Sequence, residues 1–118
     1  MTKTTVFGIA FDTHDAAKVA QFWAEVLGRR VAEGADAHDA VVLASDLVSA
    51  GPRLAFHQVP EAKVVKNRVH LDLATNDLDG ETERLVALGA TILNTISGQA
   101  RWITFADPEG NEFDLVSI

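Results

Sequence analysis

Phe105-Ala106-Asp107-Pro108-Glu109-Gly110-Asn111-Glu112-Phe113-Asp114-Leu115-Val116 is the stretch on which the reading of the fold turns. Asp107-Pro108-Glu109-Gly110 has the chemistry of a type I turn, with proline at its second position and glycine at its fourth. Apolar residues alternate on either side, which predicts strands over 100–106 and 111–117. In the second strand Phe113 and Leu115 point one way, and Glu112 and Asp114 the other. A strand with one apolar face needs a covering element, so the rest of the chain has to supply helices.

It supplies two. Val19, Phe22, Trp23, Val26 and Leu27 form one stripe of an amphipathic helix over about 14–27, opened by Asp12 or Thr13 and closed by Gly28. Asp77 opens a second helix, with Leu78, Leu85 and Leu88, that stops at Gly89. Strands are expected over 4–12 and 68–75, one before each helix. Short strands follow the first helix at 29–33, 40–44 and 53–59, and the second at 90–96, 100–106 and 111–117. Residues 60–67 read as a linker.

The order is therefore βαβββ, twice. Ala55-Phe56-His57-Gln58-Val59 answers Glu112-Phe113-Asp114-Leu115-Val116, and Val26-Leu27-Gly28 answers Ala87-Leu88-Gly89. This points to an internal duplication. The expected class is α+β, a single domain over 1–118 with module one at 1–60 and module two at 68–118.

Composition narrows the chemistry. The 118 residues carry 10 Lys+Arg against 17 Asp+Glu, a formal charge of −7, with no cysteine and four histidines. Zero cysteine excludes disulfides, thiolate metal sites and a cysteine nucleophile. The acidic balance argues against nucleic acid and anionic membranes as partners. No apolar run approaches the roughly 20 residues of a membrane span. No secretory signal is seen at the N-terminus, so a cytoplasmic protein is expected.

Period two fixes which side chains face away from the helices. If Phe7, Ile9 and Phe11 pack on the helix, Gly8 faces the open side. If Leu54 and Phe56 pack, then Arg53, Ala55 and His57 face the open side; a one-residue slip would reverse that set. Val69, Leu71 and Leu73 leave Arg68, His70 and Asp72, and Phe113 and Leu115 leave Glu112 and Asp114. On strand 100–106 either the Trp102 set or the Ile103 and Phe105 set lines the open face. His14 and His38 read as surface residues, Trp23 as core.

Phe22-Trp23-Ala24-Glu25-Val26-Leu27-Gly28-Arg29-Arg30-Val31, Val69-His70-Leu71-Asp72-Leu73 and the 105–116 stretch together resemble the vicinal oxygen chelate superfamily, the glyoxalase / bleomycin resistance / dioxygenase fold. The resemblance covers nearly the whole chain. It implies two βαβββ modules whose strands curl into a half-open barrel with helices outside, a small-molecule ligand in the concave cleft, and a homodimer. It also implies metal-ligand positions at Gly8, His57, His70 and Asp114. Glycine has no ligating side chain, so the metal set reduces to His57, His70 and Asp114. Two imidazoles and a carboxylate suit Fe, Ni, Zn or Mn.

Two functional readings follow. In the first the protein is a metal-dependent enzyme of lyase, isomerase or dioxygenase type. Glu112 or Asp72 is then the general base, and Gly8, Arg68, Arg101, Trp102 and Phe105 contact the substrate. In the second it is a binding protein without metal or catalysis, of the bleomycin-resistance type, holding a cationic ligand. A partner domain that has kept only the fold is a third possibility.

Overall fold

The computed structural model describes residues 2–45 and 51–118. The chain divides into two compact units, Met1–Glu61 and Ala62–Ile118. The division falls within the stretch read as a linker.

The first unit contains β1 (Gly8–Thr13), α1 (Ala16–Leu27), β2 (Asp39–Val42) and β3 (Arg53–Gln58). Its sheet runs β1-β3-β2, with β1 parallel and β2 antiparallel to β3. Helix α1 starts where the Asp15 carboxylate accepts from the Lys18 N–H at 3.2 Å, satisfying one of the helix's first free donors. It ends at Gly28, whose φ of 64° only glycine adopts at no steric cost. Val19, Phe22, Trp23 and Val26 of the expected stripe are buried, Leu27 is half-buried at its end, and Ala16, Ala20 and Ala24 widen it. Trp23 is central to an aromatic core: its ring centroid lies 5.9 Å from Phe11 and 5.4 Å from Phe22, and Phe11 stacks on Phe56 at 5.0 Å.

Three expectations change here: α1 is capped by Asp15 rather than by Asp12 or Thr13, Phe7 lies off the packed face, and the strand at 29–33 does not form. Phe7 does not pack against the helix. It precedes β1, is 74% exposed, and lies beneath the Arg53 guanidinium, whose central carbon is 4.4 Å from the ring centroid. The strand expected at 29–33 is a single bridge, Val31 to Val42. The slip considered for 53–59 does not occur: Leu54 and Phe56 are buried, and His57 faces away from them, exposed.

The second unit contains β4 (Asp72–Thr75), α2 (Leu78–Leu88), β5 (Thr91–Ile96), β6 (Trp102–Ala106) and β7 (Glu112–Ser117). Its sheet runs β4-β7-β6-β5, with β4 parallel to β7 and the other pairs antiparallel. Asp77 caps α2 by accepting from the Gly80 N–H at 3.1 Å. Leu78 and Leu85 on α2 are buried, as are Ile103, Phe105, Phe113 and Leu115 on β6 and β7. Phe105 and Phe113 stack at 5.3 Å. The turn is built as its residues dictate: the Gly110 N–H reaches the Asp107 carbonyl, and Asp107 Oδ1 accepts from the Glu109 and Asn111 N–H groups, each at 2.9 Å. The strand expected from 68 begins only at Asp72, and Val69 is 76% exposed rather than packed.

The fold is thus α+β, with a three-stranded and a four-stranded sheet; the first unit runs βαββ and the second βαβββ, because the strand expected at 29–33 is reduced to one bridge. In both units the first strand pairs in parallel with the last.

Candidate functional site

In the second unit the parallel pairing of β4 with β7 sets Asp72 directly beside Asp114. Both stand on the face opposite Phe113 and Leu115, because alternation sends the apolar pair to the core. His70, two residues before Asp72, joins them: its Nδ1 lies 2.9 Å from Asp72 Oδ1 and 3.8 Å from Asp114 Oδ2. These three side chains are the group among the described residues whose ligand atoms gather within 4.8 Å. Asp114 is the most sheltered, 19% exposed. The Thr104 hydroxyl, directly across the β6–β7 ladder, donates to Asp114 Oδ1 at 2.5 Å. One carboxylate oxygen is thus held by Thr104 while the other turns toward His70.

Glu112 stands next along this face, but it is engaged elsewhere. Its carboxylate accepts from the Asn67 N–H at 3.0 Å and pairs with Lys63 Nζ at 3.1 Å. Burial works against the charge, yet the Asn67 N–H and the Lys63 ammonium outweigh it and hold the carboxyl below its ordinary range. A carboxylate held so makes a weak base. Lys63 also donates to the Val65 carbonyl, so Glu112 fastens the segment preceding β4.

The other expected residues are placed as follows. Trp102 lies on the same face as Asp114 and Thr104, two residues along β6, and is partly exposed. Phe105 lies on the opposite face, fully buried against Phe113, so alternation resolves in favour of Trp102 as the ring available to a ligand. Arg101 approaches Asp79 at 3.5 Å. Arg68 is exposed just ahead of His70. In the first unit His57 presents Nδ1 to Asp39 Oδ1 at 2.8 Å and is 51% exposed. Gly8 sits opposite Arg53 in the β1–β3 ladder. His14 and His38 are exposed; His14 lies 3.0 Å from the Glu61 carbonyl, and His38 is near Asp36 at 3.9 Å.

The repeat can be compared by counting back from each helix cap. Five residues before Asp77 stands Asp72, paired with Asp114; five residues before Asp15 stands Ala10, paired with Ala55. By this count Ala55 occupies the place of Asp114, and His57 stands two residues further on. A two-residue shift keeps the same face, so alternation in the sequence does not register it. Sequence reasoning also missed Thr104, Asp39, Lys63 and Asn67. Thr104 was recoverable in principle as the residue across from Asp114, but the pairing of Ala106 with Glu112 leaves a five-residue loop, longer than the four-residue turn alone suggests.

Relatives share this architecture. The chain matches the glyoxalase-like domain family over residues 8–116. Among solved structures, the fosfomycin resistance protein FosX from Mesorhizobium loti superposes with a TM-score of 0.74 at 19% identity, covering 100% of this chain and 94% of that one. A glyoxalase/bleomycin resistance protein/dioxygenase family enzyme from Burkholderia phytofirmans PsJN gives 0.75 at 16% identity, over 98% and 99%. A glyoxalase-related enzyme from Fulvimarina pelagi gives 0.72 at 19%, over 98% and 88%. No curated protein matches. With the family matched over nearly its whole length and its fold repeated in these structures, this chain belongs to the glyoxalase-like domain family.

Proposed function

We propose that the protein is a metal-dependent enzyme acting on a small molecule, with a divalent cation held by His70 and Asp114 and oriented by Asp72. The observation that carries this is the convergence of one imidazole and two carboxylates within 4.8 Å. One nitrogen and several oxygens suit Mn, Fe, Ni or Zn, and the set contains no thiolate. A FosX from Listeria monocytogenes, with the same fold at 18% identity, is recorded with Mn(II) and 1S,2S-dihydroxypropylphosphonic acid. A cation bound here supplies a Lewis acid that polarises oxygens of the substrate.

The chain's own groups define the rest. Thr104 fixes the Asp114 carboxylate. A carboxylate only accepts hydrogen bonds, so without a cation His70 Nδ1 donates to Asp72; a cation taken by Nδ1 would displace that proton, and one taken by Nε2 would leave it in place. Asp72 is exposed, accepts from His70, and is the carboxylate proposed to move a proton, since Glu112 is engaged by Lys63 and Asn67. Trp102 offers an apolar wall on the same face. Lyase, isomerase and dioxygenase chemistry all fit this arrangement. His57 enters as a separate proposal. Asp39 occupies its Nδ1, which leaves Nε2 as the ligand nitrogen, the usual pattern for metal-binding histidines. His57→Ala then weakens metal binding about tenfold or more; unchanged binding confines the ligands to the second unit. A homodimer in the cytoplasm is the setting proposed for this activity.

A second reading is favoured by one observation: His70 Nδ1 and Asp72 Oδ1 stand at hydrogen-bond distance, 2.9 Å, and so engage each other directly. In it the acidic face beside Trp102 holds an organic cation. Metal analysis of protein purified without a histidine tag, before and after chelation, separates the two. One equivalent of Mn, Fe, Ni or Zn, lost in His70→Ala, supports the enzyme; a metal-free protein indifferent to chelator and stabilised by an organic cation supports the binder.

A further inference from the structure

Arg53, in the first unit, is a cation whose buried donor the fold leaves unsatisfied. It opens β3 opposite Gly8, on the same face as Ala55 and His57. Its side chain lies back over Gly8: a Cβ there would meet Arg53 Cγ at 3.0 Å and Nε at 3.3 Å, so glycine allows this close approach and a side chain there would push the arginine outward by a few tenths of an ångström. The Phe7 ring covers it from the other side, at 4.4 Å. Held between them, Nε is buried and makes no hydrogen bond. No carboxylate of the described residues lies within ion-pair distance of the guanidinium, in a chain with 17 acidic residues.

Two unfavourable features therefore sit together. A charged donor is buried without an acceptor, which the cation–π contact offsets only in part. The ring that buries it is itself 74% exposed, and so is held by little besides Arg53. One kind of ligand relieves both. An oxyanion would accept from Nε and the adjoining Nη in the paired geometry that a guanidinium favours. An apolar body attached to it would cover Phe7 once the ring has swung aside.

We propose that Arg53, Phe7 and Gly8 form a binding site for an amphipathic oxyanion, a carboxylate or phosphonate carrying an aromatic or alkyl group. The site belongs to the first unit and stands without the metal proposed for the second.

The test is nitrogen-15 NMR of the arginine Nε–H groups in the full chain, with chelator present so that no metal mediates. The Arg53 signal is identified by its loss in Arg53→Lys. Benzoate is titrated to about 50 mM at constant ionic strength, beside acetate, methylphosphonate and benzylamine. Benzoate shifts the Arg53 signal saturably with a millimolar Kd, about tenfold tighter than acetate, and benzylamine does not. Methylphosphonate shifts the same signal. Phe7→Ala reduces benzoate to the affinity of acetate, and in Arg53→Lys, checked as folded by its amide spectrum, the Gly8 amide signal that moves with benzoate and acetate in the wild type no longer moves. An Arg53 signal that moves no more than those of Arg68 and Arg101 overturns the proposal. Benzoate affinity unchanged in Phe7→Ala does the same, and needs no Arg53 variant to fold.

Discussion

Replacing Glu112 by glutamine separates a structural role from a catalytic one. Glutamine keeps an oxygen for the Asn67 N–H but loses the charge that draws Lys63. The ion pair is partly sheltered, with side chains 15% and 26% exposed. Its loss, with the weaker bond to Asn67, costs about 1–2 kcal/mol at neutral pH. At roughly 2.1 cal/mol/K of unfolding entropy per residue, a chain of 118 residues loses about 4–8 °C in Tm. The sign with pH follows from the carboxyl being held below its ordinary value of 4.5. Its contribution is present above the unfolded value and is lost as pH falls through the lower folded one. Calorimetry of wild type and Glu112→Gln at about pH 7 and about pH 3 therefore shows a gap that closes in acid, with metal content equal in both proteins. A gap that persists unchanged in acid refutes the electrostatic argument. Loss of turnover at unchanged stability and metal content makes Glu112 a base after all.

Thr104→Val removes the donor that fixes Asp114 and leaves the ladder intact, so metal affinity falls about tenfold with little change in Tm; calorimetric titration of Mn(II) reads it. Acid weakens the same binding, because the imidazole and carboxylates must be free of protons, and the pH dependence of the titration shows the direction. Val64, Val65 and Val69 are 85%, 74% and 76% exposed, more apolar surface than a linker alone explains. Sedimentation equilibrium is expected to give twice the chain mass of 12.7 kDa, and Val65→Asp to shift it toward the monomer; a monomeric wild type removes the dimer.

Much of the fold was legible because it rests on local periodicity. The α1 stripe, the Gly28 and Asp77 caps, the 107–110 turn and most of the repeated element order are short-range patterns; the α1 cap, which falls on Asp15, and the strand expected at 29–33 were misread. Phe7 was misread because alternation says which residues share a face, not where pairing starts. Here β1 starts at Gly8, and a guanidinium attracts the ring outward. Val69 failed for the same reason at Asp72. Asp72 and Asp114 were legible as sharing the face opposite the apolar residues because Phe113 and Leu115 give β7 one apolar face, and His70 joins them from just ahead of β4. Thr104 and Asp39 were not, because their importance comes from cross-strand register. The engagement of Glu112 was hidden too, since it depends on how residues 63–67 return to β7, and composition carries no trace of that path.

The central claim is that His70 and Asp114 hold a divalent cation. Electron paramagnetic resonance of Mn(II) added to chelator-stripped, tag-free protein tests it most directly, since only free aqueous Mn(II) gives the sharp six-line signal. Wild type is expected to suppress that signal up to one equivalent, and His70→Ala and Asp114→Ala to leave it unsuppressed. A full signal from the first addition in wild type, or equal suppression in the variants, contradicts it.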